Sequence, residues 1–322
     1  MRAKPERLLL VVAASATVFL APWHASFASS DATPVPWVSL AWDHEVGRVL
    51  GNEADSEGPA SFAIKPNGNV LVLDQINLRI RELGPDGLPM GEMALPAPSF
   101  DDVEHYEGKA VLALDRLVGR TLLVLDNDGS QLAQVPVEGR GISDAGTITA
   151  LLPRPDGVWL EVNNRHSVKV LDRTLRPCER QIVMGRPMVH GRSLLVELDG
   201  NDGARVSVIE RNGRATLKTT RLGANAPVQR IVWSDVDAEG RAHVAVNTGE
   251  YDKAPPYRLQ NERAWIVVYD EELNELSRTE SPWLLTDVEQ RMQYRLGPDG
   301  HLWQMSFATD GVKISDWGRR AK

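Results

Sequence analysis

Three polar side chains stand close together in the stretch GPASFAIKPNGNVLVLDQINLRI at residues 58–80. Asp74, Asn77 and Arg79 fall within six positions, directly after an alternating apolar run. A carboxylate accepts hydrogen bonds from turn amides, and an arginine can bridge to that carboxylate or to a neighbouring element. The spacing therefore favours a structural tie between strands over a working site.

A second polar stretch, NTGEYDKAPPYRLQNER at residues 247–263, combines tyrosines with charges of both signs. Rigid amphipathic tyrosines beside charged groups are typical of recognition loops. We therefore expect a ligand-binding loop here, and a solvent-exposed decoration is the alternative. The candidate binding residues are Glu250, Tyr251, Asp252, Tyr257, Arg258 and Arg263, joined by Arg165 and His166 from another loop.

Acidic side chains offer a different chemistry, since carboxylate oxygens are the ligands that Ca²⁺ prefers. The candidate ligands are Glu57, Asp144, Asp199 and Asp287, which would form a site only if they converge on one point. The stretch LDGNDGARVSVIE at 198–210 resembles a calcium loop, but Gly203 and Ala204 stand where such a loop needs an oxygen ligand and a glycine. That stretch is predicted to be a glycine-rich hairpin.

Other catalytic chemistries find little support in the residue pattern. A zinc site needs three close His or Cys ligands, whereas the histidines are scattered and Cys178 is the only cysteine. The chain has no G-x-S-x-G stretch and no Ser or Thr placed beside a His as a nucleophile. The preferred interpretation therefore needs no cofactor.

The N-terminus has the pattern of a secretory signal. Arg2, Lys4 and Arg7 precede an apolar run from Leu8 to Ala21, and Ser26 and Ala28 supply the small residues of a cleavage site. An apolar run this short falls below the roughly 20 residues of a membrane span. We expect residues 1–28 to be removed and the mature protein to be secreted or periplasmic.

Charge and composition exclude one class of partner. The chain carries 36 Lys and Arg against 44 Asp and Glu, a formal net charge of −8. An acidic surface without basic runs repels phosphate backbones, so we expect no nucleic-acid binding. No later segment is apolar for long enough to cross a bilayer, and we expect a monomer.

Short alternating strands recur along the rest of the chain, separated by tight turns that contain glycine. Period-two strands with regularly spaced turns predict an all-β propeller, in which radial repetition protects the sheet edges. The six predicted blades lie near 60–96, 99–137, 147–185, 187–222, 228–281 and 289–317. The last unit has three strands, so we expect the strand at 35–42 to close the ring as its outermost strand. Trp37 and Trp317 would then be neighbours.

The first unit resembles the NHL repeat, whose consensus strand ends V-x-D-x-x-N-x-R-I. The residues that match that ending are Asp74, Asn77, Arg79 and Ile80. The later units keep only the pattern of short alternating strands separated by tight turns. The resemblance implies a six-bladed propeller. Because calcium-dependent lactonases and zinc-dependent lyases share six-bladed propellers, it also keeps an enzymatic alternative open.

Two faces of such a ring differ in chemistry. The four strands of each predicted unit are labelled a to d in chain order. We call the side with the d-to-a connections and b-to-c loops the loop face, and the side with the a-to-b and c-to-d turns the turn face. Binding residues concentrate on long loops held by a rigid scaffold. We expect a binding or scaffold module whose loop face holds a protein, peptide or glycan. The alternative is a lactonase-like hydrolase or lyase with one divalent ion in the channel.

Overall fold

The computed structural model describes residues 34–51, 54–56, 58–200, 203–256, 258–281 and 290–318. The predicted signal segment lies outside them. Six four-stranded antiparallel sheets form a six-bladed β-propeller, which confirms the predicted fold class. Helical structure in the described residues is confined to three single 3-10 turns, Gln75–Asn77, Ala145–Thr147 and Val189–Gly191.

The strands are numbered in chain order, and each blade runs from an innermost strand a to an outermost strand d. The chain begins with β1 (Val35–Ala41) and a small ribbon of β2 (Val49–Gly51) and β3 (Ala54–Ser56). Blade one contains β4 (Ser61–Ile64), β5 (Val70–Asp74), β6 (Arg79–Leu83) and β7 (Pro89–Ala94). Blade two contains β8 (Asp102–Tyr106), β9 (Ala110–Asp115), β10 (Thr121–Leu125) and β11 (Gln131–Pro136). Blade three contains β12 (Ile148–Arg154), β13 (Gly157–Val162), β14 (His166–Asp172) and β15 (Ile182–Met184).

The second half of the chain repeats this order. Blade four contains β16 (Arg186–Pro187), β17 (Arg192–Asp199), β18 (Gly203–Glu210) and β19 (Thr216–Gly223). Blade five contains β20 (Val228–Val236), β21 (Ala242–Tyr251), β22 (Leu259–Tyr269) and β23 (Glu275–Ser281). Blade six contains β24 (Tyr294–Leu296), β25 (Leu302–Ala308) and β26 (Gly311–Asp316), with β1 as its fourth strand.

The turn between β4 and β5 shows how local sequence sets a hairpin. Gly68 adopts a φ of 83°, a conformation that glycine reaches without steric cost. Its amide bonds to the Lys65 carbonyl at 2.9 Å, and the Asn67 side chain accepts from the Asn69 amide at 3.1 Å. The turn thus begins β5, whose residues are all buried because its two faces meet neighbouring blades.

The hydrophobic core lies between the blades rather than at the centre. One apolar cluster joins blades one and two, a second joins blades two and three, and a third joins blades four and five. Each sheet is covered on both faces by its neighbours, so the centre of the ring is left to other side chains.

Strand β1 closes the ring as predicted, by antiparallel pairing with β26 from Val35 opposite Asp316 to Ala41 opposite Gly311. The ring of Trp37 packs edge-on against Trp303, with centroids 5.4 Å apart. The ring that Trp37 contacts is therefore Trp303 and not Trp317, the neighbour expected from the sequence. Trp317 packs on the opposite side of the sheet, among residues of blades five and six.

Closure depends on close backbone approach at Gly311, which has a φ of 155°. A Cβ added there would overlap the Leu40 carbonyl oxygen of β1. We expect Gly311→Ala to lower the free energy of unfolding by about 3 kcal/mol. Gly91→Ala is the matched control, because its Cβ would meet open space, and should cost less than about 1 kcal/mol. Urea melts of both variants check this, and equal melts would contradict the proposed closure.

Candidate functional site

The trio in blade one forms a structural tie. Arg79 Nε lies 2.8 Å from the buried carboxylate of Asp74, and Asn77 donates to both of its oxygens. The same carboxylate accepts from the Gly47 amide at 3.0 Å, and Arg79 also donates to the Glu45 carbonyl. These contacts fasten blade one to the segment that follows the closing strand, which supports the structural interpretation.

The stretch predicted as a recognition loop is largely a strand pair. Strands β21 and β22 stay paired as far as Tyr251 opposite Leu259. The neighbouring strands β20 and β23 stop pairing earlier, at Thr248 and at Ala264. Residues 249–256 and 258–263 therefore extend as a two-stranded projection from the loop face, which we call the blade-five ribbon.

Local contacts hold the base and the tip of the blade-five ribbon. Gly249 bonds to the Pro227 carbonyl at 3.1 Å and accepts from Gln229 Nε2 at 2.7 Å. At the tip, the Asp252 amide donates to the Arg258 carbonyl at 2.9 Å. The ribbon is thus anchored by hydrogen bonds and needs no apolar core of its own.

The candidate binding residues on the ribbon lie at its surface. Tyr251 is 57% exposed, and Glu250 and Arg258 are also exposed. Arg263 pairs with Glu280 at 3.0 Å, an exposed ion pair that contributes little to stability. Asp252 is half-buried, and Tyr257 lies outside the described residues.

The other predicted residues are placed separately from the ribbon. Arg165 is exposed in the loop of blade three, and His166 beside it lies 3.1 Å from the Gly141 carbonyl through Nε2. Asp144 accepts from the Gly146 amide at 2.9 Å, and Asp199 pairs with Arg205 at 2.7 Å in blade four. Glu57 and Asp287 lie outside the described residues. Within the described ranges, no group of three His, Cys, Asp or Glu residues is arranged to hold a metal ion.

Charges that the sequence analysis did not single out converge at the centre of the ring. They come mainly from the innermost strands and carry charges of both signs. We call this set the axial charge cluster: Asp101, Asp102, Glu104, Arg154, Glu161, Arg186, Asp235, Arg291 and Arg295.

Arg295 is the most connected member of the axial charge cluster. Its guanidinium pairs with the buried Asp102 and with Glu104, the latter at 2.8 Å. It also donates to the Phe62 carbonyl at 2.9 Å and to Ser61 Oγ at 3.1 Å. One side chain of blade six therefore joins blades one and two.

Further pairs join the remaining blades. Arg186 of blade four makes a two-pronged bond with Glu161 of blade three, at 2.6 and 2.7 Å. Arg154 of blade three pairs with Asp235 of blade five and donates to the Pro187 carbonyl at 3.1 Å. The bidentate pair of Arg186 with Glu161 fixes the geometry of both partners.

Arg291 reaches across the axis. Its Nη2 donates to the Ile148 carbonyl of blade three at 2.7 Å, and Nη1 lies 3.8 Å from Asp101. It adds a link between blades six, three and two.

Burial raises the pKa of two carboxyls in this cluster. Burial raises the pKa of Glu104 to about 7, although the charge of Arg295 opposes the shift. Burial likewise raises the pKa of Asp101 to about 6, against the charges of Arg291 and Arg116. Asp235 behaves in the opposite way, since Arg154 and Arg186 outweigh its burial and lower its pKa.

Two cavities flank the axial charge cluster. One of about 280 Å³ opens on the turn face and is lined by Glu104, Arg154, Asp235 and Arg295. The other, of about 60 Å³, is lined by Glu161, Arg186 and Arg291. Because cations and carboxylates are paired with each other across the axis, the arrangement ties the blades together.

Comparison with known proteins places the fold. No protein-family model matches the chain, and no curated protein matches it. Hydrazine synthase of Kuenenia stuttgartiensis is similar in structure, with a TM-score of 0.50 and 11% identity over 80% of this chain and 76% of that one. A DUF4221 protein of Bacteroides vulgatus gives a TM-score of 0.49 and 10% identity over 89% of this chain and 98% of that one. Streptogramin B lyase gives a TM-score of 0.44 and 13% identity over 84% of this chain and 97% of that one. At such identities the similarity concerns the β-propeller fold alone.

Removing the central arginine tests the axial charge cluster. Arg295→Met would leave the buried Asp102 and the half-buried Glu104 without their cation, and loss of one partner of a buried pair costs about 3–5 kcal/mol. Arg120→Met is the control, because its pair with Glu138 is exposed and should contribute less than about 1 kcal/mol. Urea melts compare the two variants. Equal losses in the free energy of unfolding would show that the axial pairs stabilise the protein no more than an exposed pair does.

The pKa of Glu104 predicts a pH dependence. Its folded-state pKa of about 7 lies above the ordinary 4.5, so the folded protein binds this proton more tightly than the unfolded chain. The stabilising contribution of this group is complete below pH 4.5 and is lost as the pH rises through about 7. Glu104→Gln should flatten that part of the stability profile measured by urea melts, whereas Glu107→Gln should leave it unchanged. A wild-type slope in Glu104→Gln would contradict the assignment.

Proposed function

We propose that this protein is an exported β-propeller that acts as a binding module, and that the blade-five ribbon holds its partner. The observation that carries the proposal is the extension of β21 and β22 beyond the four-stranded part of their sheet. No other blade has paired strands of 10 and 11 residues among the described elements. A projection of this kind adds nothing to ring closure, so its surface is available for recognition.

The backbone of the ribbon offers hydrogen bonds to a partner. Next to Glu250 and Tyr251 on one side, and next to Leu259 and Gln260 on the other, the described part of the chain supplies no further paired strand. Unpaired strand edges are templates for an added strand, and an extended peptide can bind in this way.

The side chains of the ribbon fit the same kind of partner. Tyr251 supplies an exposed, rigid aromatic surface, while Glu250 and Arg258 supply charges of both signs. Tyrosine and arginine are enriched in the residues that dominate protein binding energy. Of the protein, peptide and glycan partners expected from sequence, a protein segment in extended conformation fits the strand edges best.

Export is part of the proposal and rests on the N-terminal sequence. The basic N-terminus, the apolar run and the small residues before Ser29 have the order of a cleaved secretory signal. None of the described helices is long and apolar enough to span a bilayer. The proposal requires neither a metal ion nor a cofactor.

Site-specific photo-cross-linking tests the binding function. A photoreactive residue replaces Tyr251 in the full chain, expressed in the cells that naturally produce it, and Leu88 is the control position because it is also exposed but lies on blade one. We expect one defined protein to be cross-linked from position 251 and not from position 88. The cross-linked chains should begin at Ser29, as cleavage of the secretory signal requires. The purified partner should then bind Arg258→Ala at least about tenfold more weakly. A ribbon that cross-links no protein, or the same proteins as position 88, would contradict the proposal.

A further inference from the structure

A cavity of about 430 Å³ lies on the turn face, where the a-to-b turns of blades three, four and five meet. We call it the turn-face pocket, and it is on the opposite face of the ring from the blade-five ribbon. Pockets for small molecules commonly have volumes of about 300–1,000 Å³, so a small molecule would fit here. The residues that shape it include Pro153, Pro155, Pro187, Val189, His190 and Arg211.

Proline rings make the walls of the turn-face pocket rigid. Pro153 and Pro155 flank Arg154, the last residue of β12, and Pro187 is the last residue of β16. A proline ring fixes its own φ and leaves the backbone without an N–H donor. The pocket is therefore formed before a ligand arrives, and these walls present ring carbons in place of backbone donors.

Two arginines occupy backbone carbonyls of the same walls. Arg154 donates to the carbonyls of Pro153 and Pro187, each at 3.1 Å. Arg211 donates to the carbonyl of Met188 at 2.6 Å. Because the prolines have no N–H and these carbonyls are already bonded, the walls suit an apolar ligand surface.

The charges that line the turn-face pocket are neutralised in pairs. Each Asp and Arg side chain of the lining has a group of opposite charge beside it. The pairs are Arg211 with Asp156, Arg154 with Asp235 and Asp237 with Arg241. A charged ligand would have to displace one of these partners, so the pocket favours an uncharged ligand.

The same groups favour an aromatic ring over an aliphatic one. The face of an aromatic ring carries negative charge density, which attracts the C–H groups of proline rings and the guanidinium of arginine. Arg211 already makes this kind of contact inside the protein, with its guanidinium carbon 5.7 Å from the centre of the Trp159 ring. An aliphatic ring of the same size lacks this charge distribution and gains only from the removal of its surface from water.

His190 adds one polar group at the rim of the turn-face pocket. It is exposed in the a-to-b turn of blade four, and its side chain has no hydrogen-bond partner among the described residues. In either protonation state an imidazole has at least one N–H donor. An oxygen atom on the aromatic ligand can accept this hydrogen bond, and a hydroxyl on the ring supplies such an oxygen.

We propose that the turn-face pocket binds an uncharged phenol-like compound. Its ring packs on Pro153, Pro155 and Arg211, and its hydroxyl oxygen accepts a hydrogen bond from His190. This site is independent of the blade-five ribbon, because it lies on the other face of the ring and takes a small molecule instead of a protein segment.

Fluorine NMR of 4-fluorophenol mixed with the purified full chain tests this site. We expect the ligand signal to broaden and shift with a dissociation constant of about 1 mM, as suits so small a ligand. Phenol should displace 4-fluorophenol. Cyclohexanol, which carries the same hydroxyl on an aliphatic ring, should not displace it at the same concentration.

Variants then locate the bound ligand. Val189→Trp places a large side chain in the pocket and should weaken binding of 4-fluorophenol by about tenfold or more. Ala215→Trp is the matched control, because Ala215 is exposed in a neighbouring turn of blade four outside the lining, and it should bind as the unaltered protein does. His190→Ala removes only an exposed side chain and should weaken binding by about threefold to tenfold.

Urea melts of the three variants show that each is folded before its binding is compared. The proposal is wrong if the signal of 4-fluorophenol does not respond to the protein, or if cyclohexanol displaces it as well as phenol does. It is also wrong if a folded Val189→Trp, or His190→Ala, binds 4-fluorophenol as tightly as the unaltered protein.

Discussion

The ion pairs at the axis are the constraint on which the rest of this propeller depends. Six sheets that pack face to face leave their innermost strands around a narrow centre, and here that centre is filled by charge. Arg295 joins blades six, one and two, while Arg186 joins blade four to Glu161 of blade three. Buried pairs of this kind add little net stability relative to apolar packing, but loss of one partner is costly. They therefore fix how the blades are arranged.

The binding surface proposed here lies away from the axis, where the charged groups are paired with one another. The groups at the centre are occupied with one another, and the closing pairing of β1 with β26 holds the two ends of the ring together. On this rigid base, the blade-five ribbon projects from one face and the turn-face pocket opens on the other. Recognition surfaces on a rigid scaffold are ordered before they bind. They lose little conformational entropy on binding, which favours affinity.

Much of the fold could be predicted from the sequence because the signals are local. Alternating apolar residues and turns such as Asn67-Gly68 set the strands, and an incomplete last unit required the strand at 35–42 to close the ring. The tie formed by Asp74 and Arg79 was predictable for the same reason, since its members lie within six positions.

The axial charge cluster and the turn-face pocket were missed because their members are far apart in sequence. Asp102 and Arg295 are separated by 193 positions, and no local pattern relates them. One part of the cluster could have been predicted from the sequence. The innermost strand of blade two carries Asp102 and Glu104 on the same side, which is unusual for a strand at the centre of a fold. The ribbon was predicted as a loop because its proline and charged residues hide the pairing of β21 with β22.

A double-mutant cycle on Glu161 and Arg186 tests the central claim most directly. If buried inter-blade pairs hold the axis, Glu161→Leu and Arg186→Met should each cost about 3–5 kcal/mol in the free energy of unfolding. The double variant Glu161→Leu with Arg186→Met should cost far less than the two losses combined, because neither charge is then left alone. Small and additive losses would contradict the account and would place the stability of the ring in the apolar packing between blades.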